Sequence, residues 1–381
     1  MGSLPLSALL SQALVAYTIE FDNEFEERAP HITTVGRRVS KRGKGPWLVS
    51  QVMWTNFIQH IEPKGTPVRA LQARACLSEP GIKSRLHHLE WWKYLTFEPD
   101  PTDTRSKPRY RDLLVHLTPG GERSRDEWQA LEGFVDKRWT KRFGKDVITR
   151  LQSSLRAIVA QEARHLPDYL PVVDYQTGLR ATLVFSDEPS RGTEMRIERL
   201  DLSVLIARAL LVLTLEFESE SSVSLPISAN VLRVIEQEGT CLRDLPRHGG
   251  VAKEGVAVAI NFLKKNGLVT VGTDKLKLVR LTAKGRKACD EYGARLSRIE
   301  KRWVKSFGAK TIQALREALE SMGEQTKKGK PPLALGLEPA PGAWRTVKPY
   351  VEQTEAILRD PREALPHYPM VLHRGGFPDG A

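Results

Sequence analysis

Apolar residues in the opening stretch LSALLSQALVAYTIEFD, residues 6–22, recur at helical spacing. Leu6, Leu9, Leu10, Ala13, Leu14 and Tyr17 fall at i, i+3, i+4, i+7, i+8 and i+11, a period that predicts a helix with one apolar face. The stripe returns in LSVLIARALLVLTLEFE, residues 202–218, as Leu202, Leu205, Ile206, Ala209, Leu210 and Leu213. At an offset of 196, Leu6, Ser7, Leu9, Ala13, Leu14, Thr18, Glu20 and Phe21 meet identical residues. A segment that recurs in mid-chain does not read as an export signal; no basic n-region precedes Leu6 and no small-residue cleavage site follows. Neither copy reaches the roughly 18 uninterrupted apolar residues of a bilayer span. A packing helix is expected in each half, and no membrane partner.

A second block repeats without gaps. LTPGGERSRDEWQALEGFVDKRWTKRFGKDVITRLQSSL (117–155) aligns with LTAKGRKACDEYGARLSRIEKRWVKSFGAKTIQALREAL (281–319), and Leu117, Thr118, Gly121, Lys137, Arg138, Trp139, Phe143 and Gly144 are among the matches. A third echo pairs LPDYLPVV (166–173) with LPHYPMVL (365–372). Repeats define domains. The expected division is a first half over 1–185, a second over 200–323, and a flexible connector with a C-terminal segment over 324–381, its first part rich in Lys, Gly and Pro. The offset falls from 196 to 164 between the two main blocks, so the first half carries about 32 additional residues. Part of these is HITTVGRRVSKRGKGP (31–46), an inserted stretch with five basic residues and no acid.

Pattern also predicts the elements inside a half. In the second, SANVLRVIEQEG (228–239) and TCLRDLPRHGG (240–250) read as two short helices. VAKEGVAVAINFLKKNGLV (251–269) reads as a helix with Val256, Ile260 and Leu263 inward and Gly267 as C-cap. Residues 269–282 alternate on either side of Gly272-Thr273-Asp274-Lys275 and predict a β-hairpin. A long charged helix follows to Gly308, then another over about 310–322. The first half repeats this order. Ser78 is placed to cap a helix with Pro80 in its first turn, Ile82, Leu86 and Leu89 point inward, and the hairpin has a longer polar tip at 101–110.

Composition narrows the chemistry. The 381 residues allow two domains with their own cores, and 40% hydrophobic with 27% charged residues describes a soluble globular chain. The net charge of +12 favours an acidic partner such as nucleic acid. Cys76, Cys241 and Cys289 are too few and scattered for a disulfide framework or a zinc site, which fits a reducing cytoplasm. Neither GxSxG, nor a Walker-type phosphate loop, nor HExxH occurs. No enzyme, cofactor or metal is expected.

Helix, helix, turn, helix, two-stranded wing and long helix, with LT..G directly after the wing, is an order found twice. Each half thereby resembles the MarR family of bacterial transcription regulators, most closely over INFLKKNGLV to LTAKGRK and SRLHHLEWW to LTPGGER. The resemblance covers roughly 5–160 and 201–322. It implies a mainly α fold with small β-hairpin wings, a tandem winged helix-turn-helix. It also implies an intrachain pseudo-dimer, because members of the family pair through their terminal helices. Here 6–17, 202–213, 145–158 and 309–322 would pack together, with Trp139 and Trp303 closing each long helix against them. It further implies a sequence-specific double-stranded DNA-binding transcription regulator, a repressor on a pseudo-palindromic site, a small-molecule effector held between the helical interface and the winged helix, and room for further self-association. The family's Asp-Arg-Arg wing run is absent; the tips read Asp274-Lys275-Leu276 and Asp103-Thr104-Arg105.

An outward helix face can read base edges in the major groove. In the first half that face would carry Lys83, Ser84, Arg85, His87 and His88. In the second, Ala257, Val258, Ala259 and Phe262 stand in the places of Lys83, Ser84, Arg85 and His88, leaving Lys253, Asn261 and Lys264 as polar candidates and predicting unequal half-sites. Wing cations Arg105, Lys107, Arg109, Arg111, Lys275, Lys277 and Arg280 are expected on phosphates. Arg37, Arg38, Lys41, Arg42 and Lys44 form a candidate basic arm. The competing reading is a winged-helix scaffold or accessory subunit of a chromosome-organising complex, which would use the apolar face at 256–262 to bind protein.

Overall fold

The computed structural model describes residues 4–30, 52, 55, 57–162, 166–167, 184, 197–249, 253–273, 275–323, 332–342, 346 and 355. The basic arm (Arg37, Arg38, Lys41, Arg42 and Lys44), Asp274 and all but the first two residues of the LPDYLPVV echo and its partner lie outside these. The chain is mainly helical, with two small antiparallel sheets of three strands. Among the described residues no helix is long and apolar enough to cross a membrane.

The first half runs α1 (Leu6–Arg28), a 3-10 turn (Ile58–His60), β1 (Thr66–Pro67), α2 (Val68–Arg74), α3 (Glu79–Trp91), β2 (Leu95–Glu98), β3 (Leu114–Leu117), α4 (Pro119–Phe143) and α5 (Lys145–Val159). The second runs α6 (Leu202–Ser219), a π turn (Leu225–Ala229), α7 (Asn230–Leu232), β4 (Thr240–Cys241), α8 (Leu245–Gly249), α9 (Lys253–Lys265), β5 (Val269–Val271), β6 (Leu278–Leu281), α10 (Ala283–Phe307) and α11 (Ala309–Gly323). Strand order is β1-β3-β2 in one sheet and β4-β6-β5 in the other. The expected hairpins are present, Leu95 facing Leu117 and Val269 facing Leu281, but each gains an outer strand. Thr66 faces Val115 and Thr240 faces Val279. Residues 240–241 are therefore strand and not the start of a short helix.

Two helices occupy the centre. Every residue of α1 from Leu6 to Asp22 is buried, as is every residue of α6 from Leu202 to Leu215. The expectation of one apolar face is thus corrected: a helix inside a bundle is enclosed on all sides, and Ser7, Ser11 and Gln12 are enclosed with the leucines. α1 packs on α6 and α5 packs on α11, while α5 also meets α6 and α11 meets α1. The terminal helices of each half thus grip the opening helix of the other. Pro332–Gly342, expected within a flexible connector, instead lays Leu333, Ala334 and Leu337 into the core beside α1 and α11.

The repeated LT..G has a local cause. Thr118 and Thr282 cap α4 and α10, their hydroxyls accepting from Gly121 N at 3.3 Å and Gly285 N at 3.0 Å. The same hydroxyls donate to the carbonyls of Lys93 (2.6 Å) and Gly267 (2.8 Å), tying helix start to sheet. A Cβ on Gly121 would stand 2.1 Å from the Tyr94 carbonyl oxygen, and one on Gly285 2.0 Å from that of Leu268. Only glycine allows this approach. At the far end Gly144 and Gly308 both adopt φ 89°, a left-handed conformation that turns the chain into α5 and α11.

Two glycines of α10 give opposite expectations. Gly285→Ala should destabilise by about 1–3 kcal/mol through the carbonyl clash. At Gly293 an added Cβ would meet no atom within 4 Å, so Gly293→Ala should stabilise by roughly 0.5–1 kcal/mol. Urea denaturation of both variants checks the pair.

Candidate nucleic-acid interface

Local sequence sets the orientation of α3. Ser78 Oγ accepts from Gly81 N at 3.2 Å, with Pro80 in the first turn, so the helix start is fixed. Ile82, Leu86 and Leu89 are buried, which turns Lys83, Ser84 and His87 outward onto one exposed face. His88 is half-buried, its Nδ1 2.7 Å from the Ser84 carbonyl. Lys83 Nζ sits 5.6 Å from the Tyr110 ring centroid, a cation–π contact that leans it toward the hairpin.

Arg85 departs from expectation. It is 4% exposed, buried between the inward residues, and its Nη1 donates to the Gly81 carbonyl at 3.1 Å. Helical phase places it nearer Ile82 and Leu89 than Lys83, and its apolar stem packs while the head is satisfied by backbone. It is removed from the candidate face. Trp91, not singled out from sequence, is 60% exposed and lies two turns beyond Lys83 and one beyond His87. The i, i+4, i+8 spacing of Lys83, His87 and Trp91 was the signal available for it.

The β2–β3 tip is braced by an ion network. Arg105 donates Nη2 to Asp103 Oδ2 at 2.6 Å and to Asp112 Oδ2 at 2.7 Å, and Nε to Asp103 Oδ1 at 2.8 Å. Arg69 pairs with Asp112 as well. Hydrogen bonds from Arg105 hold the Asp103 carboxyl down to about 2, and Asp112 is lowered mainly by the same side chain. Two cations and two anions cancel here, so Arg105 braces the loop and adds little free positive charge. Lys107, Arg109 and Arg111 are exposed beside it. Neither Asp112 nor Arg69 could be assigned from sequence, because forty-three positions separate them.

In the second half Lys253, Ala257, Asn261 and Lys264 share the exposed face of α9. The four residues read as an apolar recognition face do not form one. Ala259 is fully buried, and Val258 and Phe262 are half-buried against the core. Val256 and Ile260 are buried too. Lys275, Lys277 and Arg280 are exposed on the β5–β6 side, with Leu276 at the tip 52% exposed.

A cavity of about 820 Å³ opens between the end of α1, the end of α3 and the start of α4, lined by Arg28, Trp92, Lys93, Tyr94, Arg123 and Asp126 among others. No family model and no curated protein matches the chain, so its chemistry rests on this geometry.

Removing the brace tests its role. In Arg105→Ala the Asp103 carboxyl should rise from about 2 toward an ordinary ~3.9, followed by carboxyl NMR titration. Because the folded value is the depressed one, its contribution to folding is present above the ordinary value and is lost as pH falls toward about 2.

Proposed function

We propose that this chain is a sequence-specific double-stranded DNA-binding transcription regulator, a repressor built from two unequal winged helix-turn-helix units joined as an intrachain pseudo-dimer. One observation carries the reading. An exposed polar helix face stands beside a cation-bearing hairpin in each half: Lys83, Ser84 and His87 with Lys107, Arg109 and Arg111, and Lys253, Asn261 and Lys264 with Lys275, Lys277 and Arg280.

An α-helix fits the major groove of B-DNA, Lys can donate to guanine, Asn can pair with adenine, and flanking cations can neutralise phosphates. The net charge of +12 supports the same partner. The two faces share no polar residue at equivalent positions, since Lys83 and Ser84 answer to Ala257 and Val258, and His87 answers to Asn261. Each would favour a different half-site. Within this reading, the small-molecule effector that the resemblance implies would have the cavity beside Trp92, Tyr94 and Arg123 to enter.

The scaffold reading loses its motive. Its docking surface was the apolar face at 256–262, and Val256, Ala259 and Ile260 are spent on the protein's own core.

The test is selection of bound duplexes from a random pool, followed by anisotropy titrations over a range of salt. Lys83→Ala should weaken binding to the selected site by about 1–3 kcal/mol and Lys253→Ala by less. Lys107→Ala should reduce the salt slope by about 1, while Arg105→Ala should leave it nearly unchanged. Binding that ignores both sequence and salt, or none at all, overturns the proposal.

A further inference from the structure

Each opening helix is capped across the molecule by a carboxylate of the other half. Glu300 Oε1 accepts from Leu6 N at 2.6 Å, and Asp136 Oδ2 accepts from Leu202 N at 3.5 Å. Leu6 answers to Leu202 in the first repeat, and Asp136 to Glu300 in the second. One clasp is therefore made twice.

Their surroundings differ in charge. At Glu300 the Arg316 guanidinium donates Nη2 to Glu300 Oε2 at 2.7 Å and Nη1 to the Leu4 carbonyl at 2.8 Å and Glu320 Oε1 at 3.4 Å. The first half has Gln152 where α11 has Arg316, and Glu132 where α10 has Leu296. The cation is missing and an extra acid takes the place of a leucine. α1 contributes Tyr17, whose hydroxyl donates to Asp136 Oδ1 at 2.8 Å. α4 contributes Glu132, which accepts from Trp128 Nε1 at 2.9 Å. The N-cap of α6 contributes Asp201, whose carboxyl lies beside that of Glu132. On α5, Arg156, one turn beyond Gln152, reaches the Glu198 carbonyl at 3.4 Å. His60, on the 3-10 turn that also packs on α4, offers its carbonyl to Arg74. A hydrogen bond between two carboxyls needs a proton on one of them.

We propose that this acid clasp is a proton-operated joint between the halves, shut while Glu132 and Asp201 share a proton and loosened when it leaves, whereas the Arg316 clasp stays shut throughout. Burial, with the neighbouring Asp201 charge adding to it, pushes Glu132 up to about 8. Burial raises Asp136 to about 6 against the opposing bond from Tyr17. The folded chain thus keeps a proton that the unfolded chain loses near 4.5. The stabilisation is complete below that value and disappears as pH rises through about 8. Since Asp136 of α4 bonds both Tyr17 of α1 and the start of α6 at this point, the joint sets how the two sheet-bearing units face one another, whatever they bind.

The full chain, Glu132→Gln and Gln152→Arg are compared by thermal unfolding from about pH 6 to about pH 9, with hydrogen exchange of the amides at 202–206 and 6–10 followed in parallel. The wild-type Tm should fall by several degrees over this range, with exchange at 202–206 accelerating beyond the chemical rate and exchange at 6–10 tracking it. Glu132→Gln keeps a donor for Asp201 without a titrating proton, and Gln152→Arg copies the Arg316 arrangement. Both should flatten the fall, and if Glu132→Gln does not fold, Gln152→Arg decides. Variants that follow the wild-type profile, or equal acceleration at both helix starts, overturn the joint.

Discussion

Glu20 is 1% exposed at the heart of the molecule, and an ionised carboxylate there is tolerated only if it is paired and hydrogen-bonded. Arg142 answers it with two bonds of 2.8 Å, Trp139 Nε1 with a third of 2.8 Å, and Arg138 with a longer contact of 3.4 Å. Three side chains from the last turns of α4 are thereby committed to one point on α1. Trp139 also stacks edge-on against Tyr17 and Phe143, with centroids at 5.0 and 5.1 Å. The second half repeats the pin, Trp303 Nε1 reaching Glu216 Oε1 at 2.8 Å and Arg302 reaching Glu216 Oε2 at 3.2 Å. With its C-terminal end fixed and its N-terminal end tied to the sheet by the threonine cap, each long helix acts as a strut of set length between core and surface. The outward faces of α3 and α9 are placed by those struts.

The halves share their framework and differ on their outward helix faces, hairpin tips and clasps. Threonine caps, close-approach glycines, left-handed glycines and the Trp–Glu pins recur in both halves. The first half packs Phe21, Phe25 and Trp128 around its pin, with centroid separations of 4.9–6.2 Å. Among the described residues, the second has Phe217 against Tyr292 at 5.7 Å in that region. The outward faces, the hairpin tips and the two clasps diverge. A duplicated chain of this kind can keep one architecture while its two surfaces acquire separate preferences, which a symmetric dimer of identical subunits cannot do.

The element order is legible along the chain because helix and strand periods, caps and turns are short-range signals. The same signals make α1 look one-sided, because Ser7, Ser11 and Gln12 are polar residues that the bundle nevertheless encloses. They place Arg85 outward because a cation on an exposed-looking helix suggests solvent, although its phase lies beside Ile82 and Leu89. The outer strands escape notice at two residues each. Their signal is present: IEPKGTPVR and IEQEGTCLR match at an offset of 174, and Thr66 and Thr240 hydroxyls each accept a backbone N–H at 2.9 Å just before the strand.

Duplication, the succession of elements and the capping residues were determined by the amino-acid sequence alone, since each depends on residues within a few positions of one another or on direct comparison of two stretches. Only the tertiary structure decided which charges are buried and what answers them. Glu300 meets Leu6 across 294 positions and Arg142 meets Glu20 across 122, and no periodicity along the chain encodes such pairings. They arise when packed helices exclude water and leave a charged group no other partner.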